Sequence, residues 1–410
     1  MHRGISTTKG NGNRGVAAEG LRRHNLGLVL EHLHLQGAVS RSELTASTGL
    51  NRSTIADLIA ELTALGLAEE RPAAATSGPG RPSPLVQPRP EGAIVLALEM
   101  SVDSIAVATV GLGGHVYNRI RVARPRNRFS PDETVHDVAK LAGPVLDSLP
   151  RDHVLTGVGT AVVGLTRRSD GFVHLAPNLG WRDVPLGAML AAELARSEPV
   201  LVANDADLGA LAEHRRVYPD AGHLVYISGE VGIGSGIIID GKPLLGSAGY
   251  AGEAGHMVIN PGGQKCRCGA TGCWETEAGE AALLRRAGVR GRGTGLGVID
   301  ALIERAGLGQ EDTIRAIDEV GMWLGYGIGD LVNLFNPELV VLGGLYQRLF
   351  PFLEAPVTAG IRQRALAAPG GLARIVPAGL GSDAPLIGAA ELVLSEVITD
   401  PGRAAPAVSS

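Results

Sequence analysis

Residues 252–275 read GEAGHMVINPGGQKCRCGATGCWE and hold all three cysteines of the 410-residue chain, Cys266, Cys268 and Cys273, with His256 ten positions ahead of the first. An odd number of thiols confined to one short stretch is no disulfide framework. Three thiolates and one imidazole are instead the donor set of a closed tetrahedral Zn²⁺ site. Glycines at 262, 263, 269 and 272 allow the tight turns that would gather the four ligands around one ion. With every position filled by protein, that single ion per chain is structural, not catalytic.

On the amino-terminal side, residues 1–18 are rich in Gly, Ser, Thr and Asn without periodicity and are expected to form a disordered tail. Leu26, Val29, Leu30 and Leu33 then recur at helical spacing, and Gly37 closes that helix. Ser40 can cap a short second helix ending at Gly49, and Asn51 a third in which Ile55, Leu58, Ile59 and Leu62 repeat the stripe. Three short helices with a Gly turn between the second and third form a helix-turn-helix. Residues 67–70 read as a strand, and a Pro/Gly/Ser/Ala stretch containing Gly80-Arg81-Pro82 follows. The expectation is a winged helix-turn-helix over 19–72, with 73–90 as wing and linker.

From Ile94 onward, short apolar runs at 94–98, 105–110, 158–163, 200–203, 224–227, 236–239 and 339–342 alternate with helical segments, implying α/β architecture with largely parallel sheets. The longest helix is expected at 311–335, and Asp383 is expected to cap a last one reaching about Val397. Composition excludes other classes. With 3 Trp, 6 Tyr and 5 Phe there is no aromatic platform for single-stranded nucleic acid. No run reaches the roughly 18–20 apolar residues of a membrane span, so a cytoplasmic protein with no membrane partner is expected. Residues 1–90 hold 10 Lys/Arg against 7 Asp/Glu, while the remainder holds 27 against 35, so only the amino-terminal part is basic.

Gly-Glu-x-Gly-His followed by Cys-x-Cys-Gly-x-x-Gly-Cys-x-Glu resembles the signature of the ROK family of sugar-responsive repressors, open reading frames and sugar kinases. Ala176-Pro177-Asn178-Leu179-Gly180-Trp181, Asn204-Asp205-Ala206, Gly232-Ile233-Gly234-Ser235-Gly236 and Asn336-Pro337-Glu338 leading to Gly343-Gly344 extend the likeness over residues 20–398. The resemblance implies a two-lobed actin-like fold of the sugar kinase/ribonuclease H-like type. Residues 91–203 would form the first sensor lobe, completed by helix 383–398, and 204–382 the second, which carries the zinc; 399–410 would be a tail. It also implies a sugar held between the lobes by Gly164, Asn178, Asn204, Asp205, Glu253, His256 and Glu275. His256 would give one ring nitrogen to zinc and the other to the sugar.

In family kinases Asp205 would be the general base, but the phosphate-binding loops depart from the kinase pattern. Glu99-Met100-Ser101-Val102-Asp103 replaces Asp-x-Gly-x-Thr, and Gly229-Glu230-Val231-Gly232 carries Val231 in place of Thr. Both loops are thereby expected to repel a triphosphate, which makes a non-enzymatic, sugar-responsive transcription regulator, most simply a repressor, the expected function. An active sugar kinase that also binds DNA is the alternative. Helix N-terminal residues enter the major groove in this motif, so Arg52 and Ser53 are expected to reach operator DNA. Arg81 would enter the minor groove and Arg41 would touch phosphate. Such modules act in pairs, so a homodimer or homotetramer is expected.

Overall fold

The computed structural model describes residues 12–72, 84–126, 129–149, 151, 153–195, 198–289 and 295–404. Helix α1 (Gly12–Gln36) starts inside the stretch expected to be a tail and buries Leu26, Val29, Leu30 and Leu33. Helix α2 (Arg41–Thr48) opens on a reciprocal capping box between Ser40 and Glu43 and ends at Gly49, whose φ of 69° favours glycine. Helix α3 (Arg52–Ala64) is capped by Asn51, whose side chain accepts from the Thr54 amide at 2.9 Å. Strands β1 (Val39–Ser40), β2 (Ala68–Arg71) and β3 (Leu85–Pro88) form an antiparallel sheet in the order β1-β3-β2. Residues 85–88, within the stretch expected to hold wing and linker, form the strand that pairs with both β1 and β2. The covalent connection shrinks to residues 89–93, with a 3₁₀ turn at Pro90–Gly92.

The first lobe contains β4 (Ile94–Met100), β5 (Ser104–Gly111), β6 (His115–Ala123), α4 (Pro131–Asp147), β7 (Leu155–Val162), a small β8 (Leu165–Arg167), β9 (Phe172–Ala176), β10 (Trp181–Val184) sheet, α5 (Leu186–Leu194) and β11 (Val200–Asn204). The second contains α6 (Asp205–Arg216), β12 (Leu224–Gly229), β13 (Ile233–Ile239), β14 (Lys242–Pro243), α7 (Trp274–Ala278), α8 (Glu280–Arg286), α9 (Leu296–Gly307) and α10 (Glu311–Phe335). It closes with β15 (Leu339–Gly344), α11 (Leu345–Arg364), α12 (Ala367–Leu372) and β16 (Arg374–Pro377).

The large sheets run β11-β7-β4-β5-β6 and β14-β13-β12-β15-β16. Counted within each lobe, both orders read 3-2-1-4-5, so one topology is used twice. Each sheet is mixed, not largely parallel: the hairpin strands pair antiparallel and the crossover strands parallel. Hairpins need only short turns, whereas parallel neighbours need the crossovers that the helices supply.

Helix α13 (Ala384–Thr399) returns to cover β4 and β7 and lies along α6. The approach is close. A Cβ on Gly159 would fall 1.9 Å from the Ala389 carbonyl oxygen, and one on Gly388 would fall 1.9 Å from that of Leu208. Asp383 precedes this helix but makes no side-chain cap; its carboxylate pairs with Arg119 and, at 3.3 Å, with Arg121. Charged guanidinium donors outcompete a neutral backbone amide for that carboxylate.

One apolar cluster runs from Leu26, Leu30 and Ile59 in the helix-turn-helix into Val95, Leu386 and Ile398 of the first lobe. The winged helix-turn-helix is thus seated on the rest of the molecule by continuous packing, and the short connection is not its only attachment. Among the described residues, no helix is long and apolar enough to cross a membrane.

Candidate functional site

The polar cleft lies where β7, β11 and the 176–180 turn of the first lobe face β12, β13 and the cysteine-bearing loop of the second. All seven expected positions, Gly164, Asn178, Asn204, Asp205, Glu253, His256 and Glu275, line it. Gly164 has φ 117°, and its carbonyl accepts from Asn204 Nδ2 at 3.0 Å. Asn204 also caps α6 through the amides of Ala206 and Asp207, so the cap that starts the helix fixes the wall of the cleft. Gly232 lets Glu275 approach, since a Cβ there would fall 2.3 Å from its Oε2.

The lining is strongly acidic. Burial pushes Asp205 upward, reinforced by Glu99, although the Ala206 amide opposes the shift. Glu230 moves the same way through burial and the nearby Asp205. Asp207, behind the cleft beside Glu253, is pushed up to about 7 by burial against the opposing pull of Arg168. Glu253 is raised by burial, with His256 opposing. Carboxyl groups held in this way donate as acids and accept as carboxylates, which suits a ligand presenting several hydroxyls.

His256, Cys266, Cys268 and Cys273 place four ligand atoms within 4.8 Å of one another. Cys266 Sγ lies 3.7 Å from His256 Nδ1, and Cys268 Sγ lies 3.6 Å from Cys273 Sγ. A tetrahedron with Zn–S bonds of about 2.3 Å has edges of about 3.8 Å. The donor set and its spacing therefore fit one tetrahedral metal ion. His256 turns Nδ1 to this cluster, and Glu275 Oε1 lies 3.9 Å from the same nitrogen and 3.0 Å from Cys266 Sγ. Cleft and metal cluster share His256 and Glu275.

Sequence reading missed Arg267, whose Nη1 donates to Asn178 Oδ1 at 2.7 Å, joining the cysteine loop to the first lobe across the cleft. Its position between two of the clustered cysteines is the signal that could have found it. Glu230 was expected only in a phosphate loop, yet it lines the cleft as well.

Beyond Ser228 and Glu230 lies a second cavity of about 800 Å³. In the first of the two altered loops, expected to be anionic, the carboxylates are paired with arginines. Glu99 is held by Arg121 through two bonds of 3.0 and 2.9 Å, and Asp103 lies 3.2 Å from Arg126, which also reaches Glu280 at 2.7 Å. Neutralising guanidinium groups accompany the new carboxylates, because unpaired charges in so buried a place would be costly. Ser228 and Glu230 line both cavities, and Glu230 accepts a hydrogen bond from Ser101.

Arg52 and Ser53 are exposed at the start of α3, and Arg52 makes no ion pair among the described residues. Ser53 Oγ donates to Asn51 Oδ1 at 2.7 Å. Arg41 is tied to Glu70 of β2, so a phosphate would have to displace that carboxylate. Arg81 lies outside the described residues.

Two repeated five-stranded sheets around a cleft, with a winged helix-turn-helix packed on the first, define a two-lobed α/β fold of the sugar kinase type with an added helix-turn-helix module. The chain belongs to the ROK family, whose sequence model matches residues 95–396. It is 28% identical over 382 residues to the xylose repressor of Bacillus spizizenii, covering 92% of this chain and 97% of that one. The xylose repressor of Caldicellulosiruptor bescii is 29% identical over 397 residues, at 93% and 98% coverage. The glucokinase of Streptomyces coelicolor matches at 29% over 320 residues, 97% of its own length but 73% of this chain. Among solved structures, a ROK family transcriptional regulator, a homologue of the E. coli MLC protein, superposes with a TM-score of 0.76 at 26% identity, covering 94% of this chain and 99% of that one. A ROK glucokinase from Streptomyces griseus in complex with glucose and AMPPNP gives 0.61 at 26% identity, covering 73% and 98%.

Proposed function

We propose that this protein is a sugar-responsive transcription regulator, a repressor, that reads operator DNA through α3 and holds an unphosphorylated aldose in the cleft. The observation that carries the reading is the pairing of a complete hydroxyl-binding wall, Asn178, Asn204, Asp205, Glu253, His256 and Glu275, with a helix-turn-helix packed on the same body. The whole-length likeness to xylose repressors makes D-xylose the first ligand to test, and the glucokinase likeness makes D-glucose the second. Zn²⁺ is the ion that best suits three thiolates and an imidazole; it would hold the segment carrying Glu253, His256 and Glu275 in place.

ATP use is not part of this reading. Glu230, bonded to Ser101, lines both the sugar wall and the larger cavity and sets a carboxyl group where a transferred phosphoryl group would approach Asp205. Operator binding requires two modules, so the working unit is a homodimer or a larger homo-oligomer. Calorimetry across aldopentoses, aldohexoses and N-acetylhexosamines tests the site. Saturable binding of one sugar, weakened in Asp205→Asn, supports it; heat-free titration with every sugar would refute it.

A further inference from the structure

Helix α6 begins in the cleft and ends against the helix-turn-helix module. Asn204 and Asp205 at its start line the cleft, and Arg215 and Arg216 occupy its last turn. At 1.5 Å per residue its twelve residues span about 18 Å. At the far end, Arg216 Nε donates to Glu391 Oε1 at 2.6 Å and its Nη1 to the His34 carbonyl at 3.0 Å. Arg215 reaches the same carboxylate at 3.7 Å and donates to Glu31 of α1 at 3.3 Å.

Glu391, on α13, and His34, on α1, are buried completely at their side chains. The Gly113 amide donates to His34 Nδ1 at 3.0 Å, and His34 Nε2 faces both Glu391 Oε2, at 3.0 Å, and Arg216 Nη2. Burial alone would raise Glu391, but His34, Arg216 and Arg215 outweigh it and hold the carboxyl well below its usual range. Three helices, α1 of the module, α13 of the first lobe and α6 from the cleft, thus meet on one buried carboxylate.

The packing around this joint has no slack. A Cβ on Gly27 of α1 would fall 2.6 Å from the Ile398 carbonyl oxygen, and one on Gly114 would fall 2.7 Å from Arg216 Cζ. Elements packed so closely shift as bodies instead of deforming gradually.

We propose that α6 is the rod that couples the cleft to the DNA-reading module, and that the Arg215/Arg216–Glu391–His34 cluster is its joint. A ligand that repositions the Asn204–Asp205 end moves Glu391 and α1 with it, and so changes how α3 is presented. The proposal rests on the sugar-responsive reading above and makes this joint, and not the connecting segment, the route of the signal. Residues 89–93 supply one short covalent link, whereas the joint binds three helices.

The test uses the full-length protein and two independent variants, Glu391→Gln, which weakens the joint chemically, and Gly27→Ala, which wedges α1 off α13 without touching a charge. The duplex is one that the wild type selects from a random-sequence pool, and the sugar probes are D-xylose and D-glucose. For each protein, sugar affinity without DNA and duplex affinity with and without sugar are measured. The expectation is a sugar Kd changed by no more than about twofold in both variants, while the sugar-induced change in duplex affinity, typically about 5- to 150-fold for such coupling, falls to about twofold or less. A coupling factor equal to the wild type in both variants overturns the proposal alone. So does loss of sugar binding itself, because the cluster would then support the cleft and not the signal. If neither these two nor any other sugar that calorimetry shows to bind alters duplex binding by the wild type, the sugar-responsive reading falls, and the proposal with it.

Discussion

Ser101 Oγ donates to Glu230 Oε2 at 3.1 Å, and this bond joins the two loops, one from each lobe, that depart from the kinase pattern. The departures are coupled. A serine hydroxyl in one loop satisfies a buried carboxyl in the other. The expected outcome in a coupled assay is no sugar-dependent ADP release above a protein-free blank with any sugar that binds. Sustained turnover would restore the kinase reading.

Removing one cysteine should abolish the metal site and disturb the cleft together. Cys268 is exposed, while His256 and Glu275 face both cluster and cleft. For Cys268→Ser, metal analysis should fall from one ion per chain to a small fraction, and sugar affinity should fall with it. Retained sugar affinity in a metal-free protein would break the link between the two.

Glu275→Gln keeps the shape of the wall but removes its charge. A hydrogen bond to a charged group contributes about 1.5–3 kcal/mol, so the sugar Kd should rise by roughly 10- to 150-fold. Glu275 also lies against Cys266, so metal content is measured alongside. A rise of less than about threefold with metal retained would remove Glu275 from the binding set.

The buried acids set a pH dependence of known sign. Asp207 is pushed from the ordinary 3.8 up to about 7, chiefly by burial. Between these values the folded protein holds a proton that the unfolded chain has released, so stability falls as pH rises from about 4 to 7 and levels off above. Asp205 and Glu230 shift in the same direction. A shift of this size corresponds to as much as about 4 kcal/mol. Urea unfolding at pH 5 and pH 8 should show the wild type losing more stability over that interval than Asp207→Asn; equal losses would contradict the assignment.

The helix-turn-helix was legible because its signals are local. Ser40 and Asn51 cap as their chemistry dictates, and α10 spans the predicted 311–335. The clustering of His256 with the three cysteines, and the residues that line the cleft, were legible for another reason, since the residue types are unusual and carry a family pattern. Three features were hidden. The β3 strand is only four residues long and follows a Pro-rich stretch, so nothing in its neighbourhood announces pairing. The repeated 3-2-1-4-5 topology depends on strand partners far apart in sequence. His34 and Glu391 stand 357 positions apart, and each alone reads as an ordinary surface residue of a helix. Contacts of such separation leave no periodic trace.

The central claim, that a sugar in the cleft controls DNA binding, is tested most directly by fluorescence anisotropy of a wild-type-selected duplex titrated with protein, with and without saturating sugar from the panel. The predicted result is that one sugar, D-xylose first among those tried, weakens duplex binding by about tenfold or more while leaving unrelated sugars without effect. Identical duplex affinity in the presence of every sugar that calorimetry shows to bind would contradict the account.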